Sequence, residues 1–232
     1  MTIVNAQQSR VLIGAYSYTG YTKGFTYADT VMQLNTTTLA DTASTFIVGQ
    51  NTSTLSIDLL MDAANAAHAY SWESTTPQPV TFLPNGLALG AECMLTDSIL
   101  TEFTISSPVA DVVSAKVSTQ NTSEAGAGVV LGTLAAITAT GNGTSVDNGA
   151  ATTNGAVAHL HSTIFSGLTS NTITVQDSAD NASFATIGTF TAVTGTTYQR
   201  LRITGTVRRY LRVVDTVVGV GSNTRLVAVA RL

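Results

Sequence analysis

Two histidines come nearest to a chemical site in this sequence. His159 and His161 are two positions apart, so on a β-strand both side chains would leave the same face, where two imidazoles could hold a metal ion. No third ligand is near them in sequence, and Cys93 is the single cysteine. Hydrogen bonding within a sheet or an interface is therefore the favoured role of the two histidines, and we predict no metal site and no cofactor.

Patterns that would indicate catalysis are weaker still. Asp58 and Asp62 are four residues apart and would share a helix face, but exposed acids explain them as well as a catalytic pair does. Gly141–Thr144 lacks the Lys-Ser/Thr that completes a phosphate-binding loop. The sequence contains neither Gly-x-Ser-x-Gly nor His-Glu-x-x-His. We predict that the protein is not an enzyme.

The composition favours a protein that functions within an assembly. Charged residues make up 10% of the chain, against about a quarter in typical soluble domains, and few of them are flexible lysines whose side-chain entropy opposes close packing. The net charge of -4 is unevenly divided, because residues 1–195 carry -10 and residues 196–232 carry +6. Copies of such a chain would attract one another, although the C-terminal arginines could equally serve only to solvate one sheet face.

The distribution of apolar residues predicts a mainly β fold. Short apolar clusters separated by Gly, Asn, Asp and Thr favour an antiparallel sandwich or barrel. One short helix is predicted over residues 58–72, which are rich in Ala and free of Gly and Pro. Pro84–Gly86 predicts a turn between strands at 80–83 and 87–89, and residues 109–119 predict another strand.

A stretch rich in Gly, Ala, Thr and Asn divides the sequence. Residues 124–155 contain few bulky side chains, which indicates a long loop or the lining of a close contact. We therefore predict two β halves, 1–107 with the short helix and 108–232 with this Gly-rich loop, packed as one core or as two domains. No run of about 18 apolar residues and no signal-peptide pattern occurs, so we expect a soluble protein made in the cytosol.

The clearest periodicity lies near the C-terminal end. Polar and apolar side chains alternate from Tyr198 to Val213, with Arg209 as the exception, and a half-buried strand requires this alternation. Gly205 predicts a bulge or bend that divides the stretch into two paired strands. Residues 225–232 predict a further strand that pairs with residues 213–220 as a hairpin around the intervening Gly-Ser-Asn turn.

Five stretches in order resemble the major tail (tail tube) proteins of long-tailed bacteriophages. They are Leu34–Asp58, Ser106–Ser114, Asp147–His161, Ile173–Asp180 and Arg202–Val213. The first is similar to a Thr-rich turn with Asp-Thr-Ala that leads into a strand pair, and the second to a linker followed by a strand. None of them is an active-site motif, so the resemblance depends on the order of all five.

The resemblance implies a subunit of stacked rings, expected to be hexamers, that form the conduit for phage DNA during ejection. Its partners would be copies of itself and other phage tail proteins, and it would be located in the virion tail. DNA would pass without specific binding, because acids would face the lumen and arginines would be neutralised in subunit contacts. The lumen candidates are Asp29, Asp41, Glu92, Asp97, Glu102 and Glu124, and the interface candidates are Arg200, Arg202, Arg208, Arg209 and Arg212.

Two other virion roles fit the same sequence. A capsid decoration or neck protein would share the composition. A carbohydrate-binding module at the tail tip would share a jelly-roll-like C-terminal half. Sugar sites usually present exposed aromatic rings, and Tyr198 and Tyr210 are the candidates here.

Overall fold

The computed structural model describes residues 6–61, 76–109, 111–123 and 126–232. The predicted fold class is confirmed, because 67% of the structure is strand and 2% is helix. Two short 3-10 helices, Ala6–Gln8 and Thr19–Tyr21, occur near the N-terminus. No described helix is long and apolar enough to cross a membrane. The strands are β1 (Arg10–Ile13), β2 (Tyr16–Ser17), β3 (Thr22–Asn35), β4 (Phe46–Leu60), β5 (Gln78–Leu83), β6 (Glu92–Ser106), β7 (Ser114–Asn121), β8 (Gly126–Ile137), β9 (Gly141–Asn142), β10 (Val146–Asp147), β11 (Ala156–Ser178), β12 (Ala185–Thr189), β13 (Thr197–Ile203) and β14 (Tyr210–Arg231).

The chain divides into two compact units. Unit 1 comprises Met1–Gly20, Gln78–Asp97 and Gly126–Leu232, and unit 2 comprises Tyr21–Pro77 and Ser98–Ala125. The boundary predicted between residues 107 and 108 lies inside unit 2. The grouping follows strand pairing, which joins segments that are distant in sequence, whereas the prediction followed a change in composition.

Unit 1 is built around a long antiparallel ribbon. β11 and β14 pair from Ala156 opposite Arg231 to Ser178 opposite Tyr210. β12 and β13 pair with the other edge of β11, and β8, β6, β5, β1 and β2 continue the sheet beyond β14. The end of β14, Leu226–Ala230, is buried on both faces, because alternate residues enter two different apolar clusters.

The C-terminal periodicity is partly confirmed. Gly205 adopts a positive φ of 82° between β13 and β14, so the stretch is divided there as predicted. The two strands pair with β11 and not with each other. The predicted hairpin within residues 213–232 is wrong, because β14 continues through Gly219 and Gly221, whose positive φ values bend the ribbon without reversing it.

Three other local predictions differ from the structure. Asp58–Leu60, the start of the predicted helix, belongs to β4, and residues 62–72 lie outside the described part of the chain. Residues 87–89 are not a strand; the hairpin around Pro84–Gly86 instead pairs β5 with β6, which begins at Glu92. The predicted Gly-rich loop contains strand β8, where small residues allow close packing: a side chain at Gly128 would overlap the backbone of Val229.

Unit 2 is a four-stranded antiparallel sheet in the order β3, β4, β7, β6, with Ser98–Ser106 as the part of β6 that it contains. One face is buried through alternate residues of β4, namely Leu55, Ile57 and Leu59, and through Val117 of β7. This alternation is the pattern of a strand with one covered face. Among the described strands of unit 2, β3 and the Ser98–Ser106 part of β6 are the two outer strands, and β6 is also a hydrogen-bonded neighbour of β5.

Candidate assembly surfaces

Half of the β3–β4 hairpin projects beyond the rest of the unit 2 sheet. β7 stops pairing with β4 at Thr54, whereas β3 and β4 remain paired as far as Asn35. The Asn121 side chain accepts a hydrogen bond of 2.9 Å from the Ser53 amide. This bond lies just beyond the last backbone pair between β4 and β7. We call residues 29–53 the arm; at 3.3 Å per residue its paired strands reach roughly 20 Å past β7.

The arm presents apolar side chains on both faces. Leu34 lies opposite Ile47, and Gln33 lies opposite Val48, so these two pairs mark opposite faces. An isolated two-stranded hairpin is marginally stable in water, and clustered exposed apolar groups mark interaction sites. The exposed large side chains are Met32 (56%), Leu34 (44%) and Ile47 (55%) on one face, and Val31 (47%), Phe46 (54%) and Val48 (80%) on the other.

The arm carries acids and no bases. Asp29 accepts a hydrogen bond of 3.0 Å from the Ser53 hydroxyl. Asp41, in the loop at the tip, accepts bonds from the backbone amide and the hydroxyl of Thr38 at 2.6 and 3.0 Å, and these bonds lower the pKa of Asp41. The sequence has no Lys or Arg between Lys23 and Lys116, so the arm stays negatively charged at neutral pH.

The charge of the chain follows the two units. Unit 2 contains eight acids and two lysines, a net charge of -6, and unit 1 contains six acids and eight arginines, a net charge of +2. The asymmetry inferred from the sequence is therefore a property of compact units, and unit 2 is the one that would repel phosphate.

The six predicted lumen residues have different environments. Asp29 and Asp41 are exposed on the arm, and Glu92 is exposed in unit 1. Glu102 is half exposed on edge strand β6, 3.6 Å from Lys116. Asp97 does not face solvent, contrary to the prediction, because it is 9% exposed and engaged by Arg200. Glu124 lies outside the described residues.

The five predicted interface arginines all lie in unit 1, and four of them make the following contacts there. Arg200 Nε lies 2.6 Å from Asp97, and Arg208 lies 3.9 Å from Asp177. Arg209 makes two 2.6 Å bonds to Asp147, which lower the pKa of that carboxyl to about 2. Arg212 donates to Gln176 at 2.9 Å and lies over the Phe184 ring, and Arg202 is exposed. Arg200, Arg208 and Arg209 therefore have acids of the same subunit within 4 Å, and the prediction that these arginines lie in subunit contacts stays a prediction.

The sequence analysis missed a buried ion pair between Arg225 and Asp215. Their side chains are 4% and 6% exposed, and the guanidinium meets the carboxylate through two bonds, one of them 3.1 Å from Nε to Oδ1. The Asn171 amide also donates to Asp215 at 3.1 Å. A side chain at Gly132 would overlap the guanidinium of Arg225. One available signal was that Asp215 is the single acid among seven C-terminal arginines.

The two histidines share a face of β11, as the spacing predicts, and both are fully buried. Each lies within hydrogen-bonding distance of the Thr81 hydroxyl, at 3.2 Å for His159 and 2.7 Å for His161. Among the described residues no group of three or more His, Cys, Asp or Glu side chains has the arrangement of a metal site. The histidines contact unit 1 strands and not solvent.

Asp58, the first member of the predicted carboxylate pair, faces a cleft in unit 2. The cleft is also lined by Lys23, Lys116 and Ile105 and has a volume of about 380 Å³. Asp62 lies outside the described residues, so the paired arrangement is not visible. A strand position for Asp58 removes the helical spacing on which that hypothesis depended.

The two tyrosines proposed for a sugar site lie in different environments. Tyr198 is half buried on β13, with its ring beside Gly14. Tyr210 opens β14 and lies under the guanidinium of Arg209, 5.0 Å from the ring centre. Neither ring forms the open flat platform that carbohydrate recognition favours.

Three solved structures of virion or tail proteins resemble the chain in part. A chain of the virion of a native gene transfer agent particle is 9% identical with a TM-score of 0.45, and the match covers 53% of this chain and 97% of that one. A chain of the tail of an empty gene transfer agent particle, with C6 symmetry, is 7% identical with a TM-score of 0.41, covering 50% and 92%. The phage SPP1 Dit protein, described as a paradigm of the hub adsorption apparatus, is 9% identical with a TM-score of 0.37, covering 96% and 98%.

No protein-family model matches the chain, and no curated protein matches it in sequence. TM-scores below 0.5 do not establish a common fold. We therefore infer the function from the geometry and charge of the chain itself.

Proposed function

We propose that this protein is a structural subunit of a phage-type tail, and that it is the subunit of the tail tube. The observation that carries the proposal is the arm of unit 2, which exposes apolar side chains on both faces. A partner must cover those faces, since contiguous exposed apolar surface is rare on proteins that function as monomers. The ordered sequence resemblance to tail tube proteins supports the choice of a tail tube as that assembly.

The polarity of the unit 2 sheet favours rings. Its strands are ordered β3, β4, β7, β6, and each neighbouring pair is antiparallel, so the two edge strands run in opposite directions. β6 of one copy can therefore add to β3 of the next as another antiparallel pair. Such a contact is heterologous, and heterologous contacts produce closed rings or open filaments. Ring closure would also remove both exposed edges.

The charge of unit 2 supports its use as the wall of a DNA conduit. A net charge of -6 disfavours phosphate binding, and Asp29 and Glu102 lie on or beside the edge strands that would join. DNA would then slide past the wall without being held. Four of the eight arginines of unit 1, namely Arg200, Arg208, Arg209 and Arg225, have an acid of that unit within 4 Å, which supports unit 2 and not unit 1 as the wall.

Electron microscopy of the purified protein tests the proposal. Across a range of salt concentrations we expect rings with a central lumen, expected from the resemblance to have six subunits, and stacks of those rings at high protein concentration. A uniform population of monomers at every protein and salt concentration would contradict the proposal. Binding to empty capsids without ring formation would favour the decoration or neck role instead.

A further inference from the structure

Unit 1 contains a buried chain of polar side chains that joins separate strands. His161 Nδ1 lies 2.6 Å from the carbonyl oxygen of Gly14, the residue that follows β1. His161 Nε2 lies 2.7 Å from the Thr81 hydroxyl on β5, which is 3.2 Å from His159 Nδ1. The network therefore connects β11 with β5 and with the end of β1 through side chains.

The chain continues to the surface of unit 1. His159 Nε2 is 3.5 Å from Asp97 Oδ1 on β6, and Asp97 Oδ2 is 2.6 Å from Arg200 Nε on β13. His159 and His161 are 1% and 0% exposed, whereas the Arg200 side chain is 28% exposed. Five side chains and one carbonyl thus lie next to one another; the link between His159 and Asp97 is a 3.5 Å approach and not a hydrogen bond.

The direction of the bonds to His161 is fixed by chemistry. A carbonyl oxygen can only accept a hydrogen bond, so His161 Nδ1 donates to Gly14. In neutral imidazole the other nitrogen is then an acceptor, and the Thr81 hydroxyl donates to Nε2. A second proton on His161 would turn Nε2 into a donor that faces the hydroxyl proton of Thr81. The hydroxyl would then have to rotate, and its present hydrogen bond to His161 would be lost.

The surroundings disfavour a positive charge on His161. The β14 residues beside the two histidines, Leu226 and Ala228, belong to an apolar cluster, and β5 has no titratable residue. β6 contributes Asp97, which Arg200 of β13 already engages. The remaining titratable groups nearby are Tyr198 of β13, opposite His161, and Tyr16 and Tyr18 in and after β2, and none of these is a carboxylate that could balance a charged imidazole.

We propose that this network is an acid-sensitive latch that holds β1 and β5 against β11, and that protonation of His161 releases the N-terminal strands of unit 1. Burial lowers the pKa of His161 to about 4, and burial followed by the charges of His161 and Arg200 lowers the pKa of His159. A released histidine titrates near 6.5. The open state therefore binds more protons, so the latch is fully stable above about pH 6.5 and weakens as the pH falls toward 4.

Hydrogen exchange of the full chain at about pH 7 and pH 4.5, corrected for the intrinsic chemical rate, tests the latch. Opening of the β1 region should rise by roughly 50-fold or more at the lower pH, since His161 alone takes up a proton near pH 6.5 in the open state and near 4 in the closed state. His159, whose pKa is also lowered, would add to the rise if it is released as well. Exchange in β12, which has no contact with the network, should change far less.

Two substitutions separate the latch from general acid sensitivity. His161→Gln keeps a donor and an acceptor but cannot gain a proton, so we expect the acid-induced rise in β1 to be at least about tenfold smaller than in the natural chain. His68→Gln makes the same chemical change at the third histidine and should leave the rise intact. An equal rise in the His161→Gln variant, or no rise in the natural chain, would overturn the proposal.

An NMR titration of the natural chain covers the case in which the His161→Gln variant does not fold. The imidazole of His161 should gain its proton well below pH 6 and together with the loss of protection in β1. Titration near 6.5 with β1 still protected would show that the histidine is not a latch.

Discussion

Arg225 differs from the other C-terminal arginines because its partner is buried with it. Asp215 receives bonds from Arg225 and from the amide of Asn171, so its charge is compensated by two donors in a region closed to water. Exposed pairs such as Arg209 with Asp147 remain solvated when one partner is removed. The two kinds of arginine should therefore respond differently to the same substitution.

Arg225→Met should lower the free energy of unfolding by roughly 3–5 kcal/mol, because it leaves the Asp215 carboxylate buried without its cation. Urea denaturation measures the change. The double variant Arg225→Met with Asp215→Leu should recover much of the loss, since neither charge is then buried. Arg209→Met serves as the matched control and should have little effect. A loss below about 1 kcal/mol for Arg225→Met would contradict the assigned role of the pair.

Single residues were predicted only where their role depends on local spacing. His159 and His161 share a face because a strand has a period of two, and this could be inferred from two positions. The contacts of Asp97 with Arg200 and of Arg225 with Asp215 depend on how distant strands are placed and how β14 bends. No local pattern distinguishes a buried arginine from an exposed one in an arginine-rich strand.

At the scale of elements, the arm is the part of unit 2 with the least support from the rest of its sheet. β7 ends at Asn121, and the arm beyond it has two strands with open edges and two apolar faces. Its contribution to assembly should therefore be separable from the stability of the unit 2 sheet.

Val48→Asp tests the arm. Val48 is 80% exposed, so the substitution should leave the unfolding midpoint nearly unchanged. Association would bury the new charge, so the protein concentration required for assembly should rise at least about tenfold. Sedimentation velocity across a dilution series measures that concentration. Val220→Asp, at a 92% exposed position in unit 1, makes the same change away from the arm and should assemble normally. If both variants assembled at the same protein concentration, the arm would not be part of the interface.

Element predictions succeeded where alternation was long and failed where turns were ambiguous. The alternation in 198–213 located β13 and the start of β14, and Gly205 marked the break between them. Gly221 occupies a sequence that resembles a hairpin turn, yet positive φ at Gly219 and Gly221 bends a strand whose partner, β11, lies far away in sequence. The apolar run at Phe46–Val48 predicts a buried strand. Nothing in the neighbouring sequence indicates that these side chains are exposed on the arm.

At the scale of the whole molecule, the sequence was sufficient for the mainly β class but not for the grouping of segments. Units 1 and 2 each combine stretches that are separated in sequence by residues of the other unit, because strand pairing is non-local. The charge asymmetry was visible in the sequence. In the fold, most of the acids lie in unit 2 and all of the arginines lie in unit 1.

The central claim is that edge strand β3 of one copy pairs with edge strand β6 of the next. The single natural cysteine, Cys93, is buried, and the exposed positions Thr26 on β3 and Thr104 on β6 lie on the same sheet face. We propose to cross-link assembled protein carrying both Thr26→Cys and Thr104→Cys with a short bismaleimide. Denaturing gels would then show how the copies are connected.

The account predicts a ladder of covalent oligomers that ends in one closed ring for the double variant, and almost no cross-linking for either single variant, because the contact joins two different edges. Dimers formed by a single-cysteine variant would indicate a symmetric contact through one edge. That result, or assembled double variant that yields no oligomers, would contradict the central claim.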